Sequence, residues 1–372
     1  MSDWKRTTVG DVVTLQRGFD ITKAQQNPGN VPVVSSGGIS SYHDTAMVEG
    51  PGVVMGRKGT LGKVFWLESD YWPHDTTLWV KDFKGNDRRF VYYFLGTLNY
   101  LSMNVGSSNP TLNRNHVHPT PINWPPLKEQ RGIAVVLGAL DDKIAVNERI
   151  ATTTDAMVEA LRQMLLAELD ANFRRLGDIA KIVVGSTPSR AKSEYWTDGT
   201  VNWINSGKAN EFRVIDPSEM ITEDALVNSS VKMMPPGATL IGITGATMGK
   251  ISRLEIPAGG SQNVAGVWAD EPALNDWLFY DIKARVADLT KHASGGAQQH
   301  INKRIITELQ CSVPGPDRLT AWSAKASPLV TLTARRLVEN RTLAALRDTL
   351  LPQLMSGRLR VKDAEKIVED AT

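Results

Sequence analysis

The sequence predicts two similar mixed α/β domains separated by an antiparallel pair of long coiled-coil helices and related by a pseudo-twofold axis. Three observations predict this fold. The sequence consists of two similar copies, each copy begins with short β-like segments broken by glycine, proline and asparagine, and each copy ends with a long stretch of helical periodicity. A chain of 372 residues is long enough for two or three domains with separate cores.

The duplication appears as four pairs of matching segments in the same order. Residues 9–12 return at 176–179, an offset of 167, and residues 59–63 return at 246–250, an offset of 187. Gly106 and residues 112–114 return at an offset of 189, and residues 160–166 return at an offset of 185. Because the offset changes only by loop-sized amounts, the repeat is a duplicated domain and not a solenoid unit of about 20–50 residues.

The pattern of each copy predicts the domain boundaries. Apolar runs such as Val31–Val34 and Ala238–Ile241 end in turn residues and indicate strands, whereas residues 90–95 and 277–280 have helical spacing. We predict a first domain at 1–125, a spacer helix at 126–170, a second domain at 171–316, a second spacer helix at 317–358, and a charged tail at 359–372 that frays.

The two spacer helices are predicted from seams of residues alternating four and three apart, which is the a/d pattern of a coiled coil. The first seam comprises Ile133, Leu137, Leu140, Ile144, Asn147, Ala151, Thr154, Val158, Leu161 and Leu165. The second comprises Leu329, Leu332, Leu343, Leu346 and Leu350, interrupted by Arg336 and Glu339. We expect Pro328 to kink or restart the second helix, and Asn147 to fix the register. The seams are predicted to pair with each other and to place the domains at opposite ends of a rod; a helical hairpin within one compact protein is the alternative.

Composition narrows the class of protein. Hydrophobic residues at 41% and charged residues at 22% indicate a soluble globular protein. Because Cys311 is the single cysteine, a disulfide framework and a cysteine-based zinc site are both excluded, which suits a reducing cytoplasm. We expect no signal peptide and no membrane span. A net charge of +2 means that nucleic-acid binding would need clustered basic residues or a partner.

Glycine-rich loops follow a predicted strand in each copy, at residues 56–63 and 244–250. The second loop resembles a P-loop, but Thr244 replaces the first glycine and Ile251 replaces the serine or threonine that would bind magnesium. We interpret both loops as tight hairpins that present backbone N–H groups and a lysine to phosphate, with a plain β-turn as the alternative. The candidate contacts are Arg57, Lys58, Thr60, Lys63, Thr244, Thr247 and Lys250.

Polar loops form a second candidate site. They share a frame of glycine, an apolar residue, asparagine and a basic residue, but differ at their tips, as expected of readers of two different half-sites; a solvated loop is the alternative. Asparagine and glutamine favour adenine, whereas arginine and lysine favour guanine. The candidates are Ser107, Ser108, Asn109, Asn113 and Arg114 in copy one, and Gln298, Gln299, His300, Asn302 and Lys303 in copy two. Weaker candidates at sheet ends are Ser35, Ser36, His43, Asp75, Asn205, Ser206, Lys208, Gln262 and Asn263.

Signatures of enzymes are missing from the sequence. No Gly-x-Gly-x-x-Gly follows a strand, the histidines form no His-x-x-x-His pair, and Asn123–Pro126 has the wrong order for an amino-methyltransferase loop. We therefore predict no catalytic residue and no metal ligand. Two alternatives stay open: an autonomous DNA-acting enzyme such as a nuclease, and a coiled-coil scaffold whose domains bind ligands other than DNA.

The order domain, helix, domain, helix, the Leu176–Ile179 opening, the Gly…Gln…His-Ile-Asn loop at 295–302 and the ending at Leu346–Leu359 together resemble the DNA-specificity subunit of type I restriction-modification systems. The first domain departs from the family at Ser108–Asn113, where a glutamine-containing string is usual. The resemblance implies a cytoplasmic, non-catalytic protein whose two domains each read one half of a bipartite, asymmetric DNA site. It also implies that the helices dock two methyltransferase subunits, that two motor-nuclease (restriction) subunits join, and that S-adenosylmethionine, ATP and Mg²⁺ belong to those partners, with no cofactor bound by this chain.

Overall fold

The computed structural model describes residues 4–100, 111–168, 172–291 and 300–371. The chain divides into two compact units, residues 1–144 with 342–372 (unit 1) and residues 145–341 (unit 2). Both units combine helices and strands, which confirms the predicted class. None of the helices in the described ranges is apolar over a stretch long enough to cross a lipid bilayer.

Unit 1 carries its strands mainly in antiparallel sheets. The strands are β1 (Lys5–Thr8), β2 (Thr14–Arg17), β3 (Val31–Ser35), β4 (Gly38–His43), β5 (Gly52–Gly56), β6 (Val64–Leu67), β7 (Trp72–Pro73), β8 (Thr77–Asp82) and β9 (Pro121–Trp124). The helices are α1 (Val9–Val12), α2 (Arg88–Gly96), α3 (Arg114–Val117) and the start of α4 (Leu127–Ala167). Asp87 caps α2 by accepting a hydrogen bond from the Phe90 N–H at 2.9 Å.

Unit 2 has more elements than unit 1. Its strands are β10 (Phe173–Arg175), β11 (Lys181–Val184), β12 (Val201–Ile204), β13 (Arg213–Val214), β14 (Glu219–Ile221), β15 (Met233–Met234), β16 (Thr239–Gly242), β17 (Ile251–Leu254), β18 (Ala258–Gly260), β19 (Val264–Trp268) and β20 (Gln310–Ser312). Its helices are α5 (Leu176–Ile179), α6 (Glu223–Val227), α7 (Pro272–Ala284), α8 (Val286–Lys291), α9 (Lys303–Glu308) and parts of α4 and of α10 (Pro316–Met355). The chain closes with α11 (Val361–Ala371) in unit 1.

The sheets repeat the same strand order in both units. In unit 1 the order β2-β8-β5-β6 corresponds to β11-β19-β16-β17 in unit 2, and every neighbouring pair is antiparallel. The parallel pair β3-β7 likewise corresponds to β12-β18. Unit 2 adds β13 at the edge of its larger sheet, beside β17. The duplication read from the sequence is therefore a duplication of topology.

The long helices α4 and α10 pack together. In unit 2 the Thr154 and Thr333 hydroxyls lie 2.8 Å apart, and Arg318 donates to the carbonyl of Glu168 at 3.2 Å, so the two helices run antiparallel there. In unit 1 Arg347 of α10 donates to Asp141 of α4 at 2.7 Å. Hydrogen bonds between the helices thus supplement the apolar contacts along the seam, and they require a defined alignment of α4 and α10.

The seam residues of α4 face the protein interior. The buried ones are Ile133, Leu137, Leu140, Asn147, Ala151, Thr154 and Val158, whereas Ile144, Leu161 and Leu165 are partly buried. Both polar atoms of the Asn147 side chain are buried and lack a hydrogen-bond partner in the described part of the chain. This amide lowers the stability of the helix pair, as expected of a buried polar residue at a seam position.

On α10 the seam lies one residue away from part of the prediction. Leu343 and Leu350 are buried, whereas Leu346, Leu329 and Leu332 are partly buried, and Leu329 packs against the apolar cluster that includes Val330. The side chains buried beside them are Val330 and Thr333, at 3% and 0% exposure. The sequence pattern selected leucines as the seam residues. In the structure Thr333 also lies in the seam, where its hydroxyl hydrogen-bonds to Thr154.

Two expectations about the C-terminal region need correction. Pro328 does not restart the helix, because α10 is continuous from Pro316 to Met355, and a kink at Pro328 stays a prediction. The charged tail also does not fray: residues 361–371 form α11, whose Ala364 is fully buried in the core of unit 1. Its apolar residues lie on one face, and Val361 packs against the Cα of Gly132, where a glycine leaves room for it.

Candidate nucleic-acid interface

The glycine loop is built in the same way in both units. Gly62 donates to the carbonyl of Gly56 at 2.9 Å, and Gly249 donates to the carbonyl of Gly242 at 2.9 Å. Gly62 and Gly249 have φ values of 71° and 76°, in the left-handed region that favours glycine. A Cβ at Gly56 or Gly242 would collide with a carbonyl oxygen of its own loop. Two glycines thus close each loop into a tight hairpin at the end of a strand.

Each glycine loop lies beside the segment that follows the polar loop. Leu112 donates to the carbonyl of Arg57 at 2.9 Å, and Ile301 donates to the carbonyl of Ile243 at 2.9 Å. Leu112 and Ile301 are fully buried, so they anchor these segments in the core. The adjacent residues form isolated β-bridges, Lys58 with Thr111 and Thr244 with His300. The structure therefore brings together two candidate segments that are about fifty residues apart in the chain.

The asparagine that follows each anchor caps a helix. The Asn113 side chain accepts from the N–H of Asn115 at 3.0 Å, and the Asn302 side chain accepts from the N–H of Ile305 at 3.0 Å. Asn113 and Asn302, which we predicted as base contacts, thus use their side-chain oxygens to hold the frame of the site. The basic residues next to them, Arg114 and Lys303, are exposed in the first turns of α3 and α9.

In unit 1 these loops border a basic cleft of about 490 Å³. The cleft is lined by Gln16, Arg17, Arg57, Leu78, Asn113, Arg114 and Asn115. Sequence reasoning identified Arg57 and Arg114 but missed Arg17, which is the last residue of β2. Arg17 lies two residues after the buried Leu15, so both side chains are on the same face of the strand, and Arg17 is at its exposed end. This spacing is the signal that could have identified Arg17 from the sequence.

The charges of the cleft are only partly balanced. Arg17 donates to Asp75 at 2.6 Å, and the Lys58 ammonium lies 3.8 Å from the same carboxylate. Among the residues that the structure describes, no ion pair forms with Arg57 or Arg114. Burial and the neighbouring Arg17 lower the pKa of Arg57, a sign of cations held close together. Such a cleft attracts an anion.

One histidine beneath the cleft is held in its neutral form. His118 Nε2 accepts a hydrogen bond from the Leu15 N–H at 3.0 Å, which a protonated ring nitrogen could not do. Burial, and then the charges of Arg114 and Lys84, lower the pKa of His118. The bond joins β2 to the end of α3, and it therefore helps to position Arg114.

Unit 2 presents different residues on the same frame. Ile243 and Thr244 occupy the places of Arg57 and Lys58, and Val184 ends β11 where Arg17 ends β2. The frame therefore carries a cluster of arginines in unit 1 and mostly uncharged groups in unit 2. The cations that remain exposed near this site in unit 2 include Lys250, Lys303 and Arg304.

The charge of Lys208, one of the predicted DNA contacts, is neutralised by carboxylates of unit 2. Its ammonium lies 2.6 Å from Asp216 and 2.7 Å from Glu211, and its side chain is 13% exposed. Although burial lowers the pKa of Lys208, hydrogen bonds to these two carboxylates raise it above its ordinary value. The positive charge of Lys208 is therefore balanced within the chain. Asn205 caps the 3₁₀ turn that Lys208 belongs to, accepting from Gly207 N–H at 2.8 Å.

The remaining candidates fall into three groups. Ser35, Ser36, His43 and Asn263 are at least partly buried and hydrogen-bonded within their unit; the His43 ring, for example, accepts from the Asn27 N–H at 3.0 Å. Thr60, Lys63 and Lys250 are exposed on the glycine loops, Thr247 is partly buried, Ser206 lies in the neighbouring 3₁₀ turn, and the exposed Gln262 accepts from Thr187. Ser107, Ser108, Asn109, Gln298 and Gln299 lie outside the described residues.

One group of side chains could approach a metal ion. Asp20, His74 and Asp75 offer ligand atoms that lie within 4.8 Å of one another. Asp75, however, accepts a hydrogen bond from Arg17, and the cationic Lys58 is close to it. The carboxylate is thus already engaged by cations, so this trio supplies a counter-charge to the cleft.

Comparison with known proteins gives consistent matches. The family model described as "Type I restriction modification DNA specificity domain" matches residues 1–153 and again residues 168–317. The specificity subunit of the type I restriction enzyme EcoR124I/EcoR124II from Escherichia coli is 28% identical over 160 residues, 41% of this chain and 40% of that protein. The HindI specificity subunit from Haemophilus influenzae is 22% identical over 192 residues, 50% of this chain and 41% of that protein. The matches thus span about two fifths of these curated relatives.

A solved structure agrees over a longer range. The S subunit of a type I restriction-modification system from M. genitalium superposes with a TM-score of 0.65 at 15% sequence identity. The superposition covers 95% of this chain and 96% of that one. At this identity the likeness concerns the fold.

Proposed function

Since the chain belongs to the family of type I restriction-modification DNA specificity subunits, we propose that it recognises the target sequence for such a complex. Each domain contacts one half of a bipartite, asymmetric DNA site. The observation that carries this proposal is the repeated loop frame, in which a glycine hairpin and a capped helix hold different side chains in the two units. A reader of two different half-sites needs the same support and different contacts.

The chemistry of the two units supports different modes of contact. The cleft of unit 1 offers Arg57 and Arg114 to phosphate oxygens or to the acceptor edge of guanine. The frame of unit 2 offers Thr244, His300 and Lys303, which give fewer charges and more neutral hydrogen-bonding groups. We therefore propose that the half-site read by unit 1 is bound more strongly through charge.

The chain acts without catalysis of its own in this proposal. Two methyltransferase subunits and two motor-nuclease (restriction) subunits supply the chemistry, and S-adenosylmethionine, ATP and Mg²⁺ are bound by them, in the cytoplasm. A partner that methylates adenine must turn the base out of the duplex, so this subunit needs only to hold the complex on its site. The carboxylate of Asp75 is paired with Arg17 and close to Lys58, so it is less available to bind a metal ion. This favours a DNA-binding subunit over an autonomous nuclease.

An apolar stripe on α4 supports docking of the methyltransferase subunits. Val146, Met157 and Met164 are 45%, 49% and 66% exposed. Their spacings of 11 and 18 residues from Val146 place them on one face of the helix. Methionine suits a surface that adapts to a partner, because its side chain is flexible and polarisable. We propose that this stripe is part of the docking surface.

The test is a domain exchange read out by methylation. Cells would express the chain with its neighbouring methyltransferase, and single-molecule sequencing would give the methylated motif. We expect a split motif, with adenine methylated in both halves. Replacing residues 1–125 by the first domain of another family member should change one half only. A change in both halves would contradict the modular reading, and a methylated motif that is not split would contradict the proposal itself.

A further inference from the structure

The second recognition domain, residues 173–313 within unit 2, is joined to the long helices through buried charges. Asp155 of α4 is 6% exposed and accepts from Arg213 at 2.6 Å and from the Tyr280 hydroxyl at 2.8 Å. Lys283 donates to its other oxygen at 3.3 Å. Although burial raises the pKa of Asp155, the charges of Arg213 and Lys283 lower it below its ordinary value. This carboxylate of the helix is therefore held, ionised, by two elements of the domain.

The network continues from the domain to α10. Arg213, 3% exposed, also donates to Glu255 at 3.2 Å, and Arg253 donates to the other oxygen of Glu255 at 2.7 Å. Arg253 in turn donates to Asp276 at 2.6 Å, and the Ser327 hydroxyl of α10 donates to Asp276 at 3.1 Å. One connected chain of polar groups thus runs from α4 through the domain to α10.

A second link lies about two turns further along α4. Arg162, 4% exposed, donates to Asp281 of α7 at 3.0 Å. Asp281 is fully buried and also accepts from Arg285 at 2.8 Å and from the N–H of Ser312 at 3.2 Å. This carboxylate therefore connects α4 to the end of α7 and to β20.

The joint in unit 1 differs in its charged part. Both units have an apolar cluster between domain and helices, which joins Phe90 of α2 to Ile133 and Leu350 in unit 1 and Trp277 of α7 to Val158 and Trp322 in unit 2. Its main ion pair between domain and helix, Arg89 with Asp142, has a carboxylate that is 61% exposed. The described part of unit 1 has no strand in the place of β13, the element that carries Arg213.

Buried charges contribute little net stability, because desolvation offsets most of their attraction, but they demand short distances and a defined direction. Apolar contacts, in contrast, tolerate small rotations and slides. Moving the domain on the helices would separate Asp155 from Arg213 and Arg162 from Asp281 at once. The separation would leave Asp155 as a buried carboxylate without a cation, which is strongly unfavourable, whereas Arg162 would keep Glu159 of its own helix and Asp281 would keep Arg285.

We propose that this network holds the second recognition domain in a single orientation on α4 and α10, and that it thereby limits the spacings between half-sites that the subunit accepts. Asp155, Arg162 and Arg213 are then positioning residues, which act on specificity without touching DNA. The inference rests on the proposed function. It concerns the length of the gap in the DNA site, and not the bases that either domain reads.

The experiment uses the full chain in complex with its methyltransferase subunits. The double variant Asp155→Asn/Arg213→Met removes one cation and one anion, while the new amide oxygen still accepts from Tyr280 and Glu255 keeps Arg253. Binding is measured to duplexes that carry both half-sites at the native gap and at gaps one base pair shorter and longer. We expect the preference for the native gap to fall at least tenfold, mainly because the altered gaps bind better relative to the native one.

The matched control is Lys181→Met/Asp270→Asn, an exposed ion pair of the same domain that does not involve the helices. Its gap preference should equal that of the wild type. If the double variant kept the wild-type preference, or if the control lost as much, the inference would be overturned, whatever the melting temperatures. Should the double variant fail to fold, Tyr280→Phe removes a single hydroxyl of the network, and we expect a loss of about threefold in the preference; an unchanged value would also overturn the inference. A wild-type complex that binds no duplex with both half-sites would instead refute the proposed function.

Discussion

Replacing Arg57 and Arg114 together by methionine should make DNA binding by the assembled complex less sensitive to salt. Both guanidinium groups line the basic cleft of unit 1, and neither forms an ion pair among the described residues. Arg17 and Lys58, in contrast, share the carboxylate of Asp75. The cleft therefore holds two cations without a carboxylate partner in the described residues, Arg114, which is exposed, and Arg57, which donates to the backbone carbonyl of Asp75 at 3.4 Å.

The size of the effect follows from counterion release. Each phosphate contact contributes about 0.9 to the slope of log affinity against log salt concentration, so two contacts contribute about 1.8. Raising the salt concentration fourfold, from about 50 to about 200 mM, should then weaken the wild-type complex roughly tenfold more than the variant. Methionine keeps much of the length of the side chain, so the change is mainly one of charge.

The assay is fluorescence anisotropy with a cognate duplex across a salt series. Arg6→Met is the matched control, since Arg6 is an exposed arginine of the same unit on β1, away from the cleft. We expect its slope to differ from that of the wild type by less than the contribution of one contact. A double variant that folds and retains the wild-type slope would refute the assignment of the cleft as a phosphate-binding surface.

Three further predictions concern stability. The bond accepted by neutral His118 contributes fully above the unfolded-state pKa of about 6.5 and is lost as the pH falls towards the lower folded-state pKa, so the wild type should lose stability as the pH falls below about 6.5. His118→Gln should flatten this loss in thermal melts and the exposed His116→Gln should not; equal pH profiles for all three would contradict the reasoning. Asn147→Leu should raise the free energy of unfolding by about 1–3 kcal/mol in urea titrations, because it removes a buried amide without partners, and a decrease would argue that the amide is satisfied. Gly56→Ala should lower the melting temperature by several degrees through collision with its own loop, whereas Gly37→Ala, with open space around its Cα, should not; equal melting temperatures would show that the loop adapts.

The features that sequence reasoning predicted well are local and repeated. Helical periodicity placed α4 and most of its seam, since a side chain that recurs every three or four residues must face one side of a helix. The glycine loops were found because each occurs twice and because a positive φ restricts the residue type. The family follows from the same repeated motifs, and the match of one family model to both copies shows it.

Errors arose where a residue type has more than one use. Leu329 and Leu332 were chosen as seam residues for their hydrophobicity, but Thr333 occupies the seam because it has a partner in Thr154. The charged tail was expected to fray, whereas the small Ala364 gives α11 a face that packs. In each case the surroundings, and not the residue type, decided the role.

The sequence by itself determined that the chain has two copies of one domain, that each copy is followed by a long helix, and where the glycine hairpins lie, because these features depend on short-range spacing. Only the tertiary structure decided which distant residues meet. Arg17 joins Arg57 and Arg114 in one cleft, and Asp155 meets Arg213 in the buried network. These contacts depend on how strands β2, β5 and β13 are ordered in their sheets. Strand order is set by the energy of the whole fold, so no local spacing in the sequence indicates it.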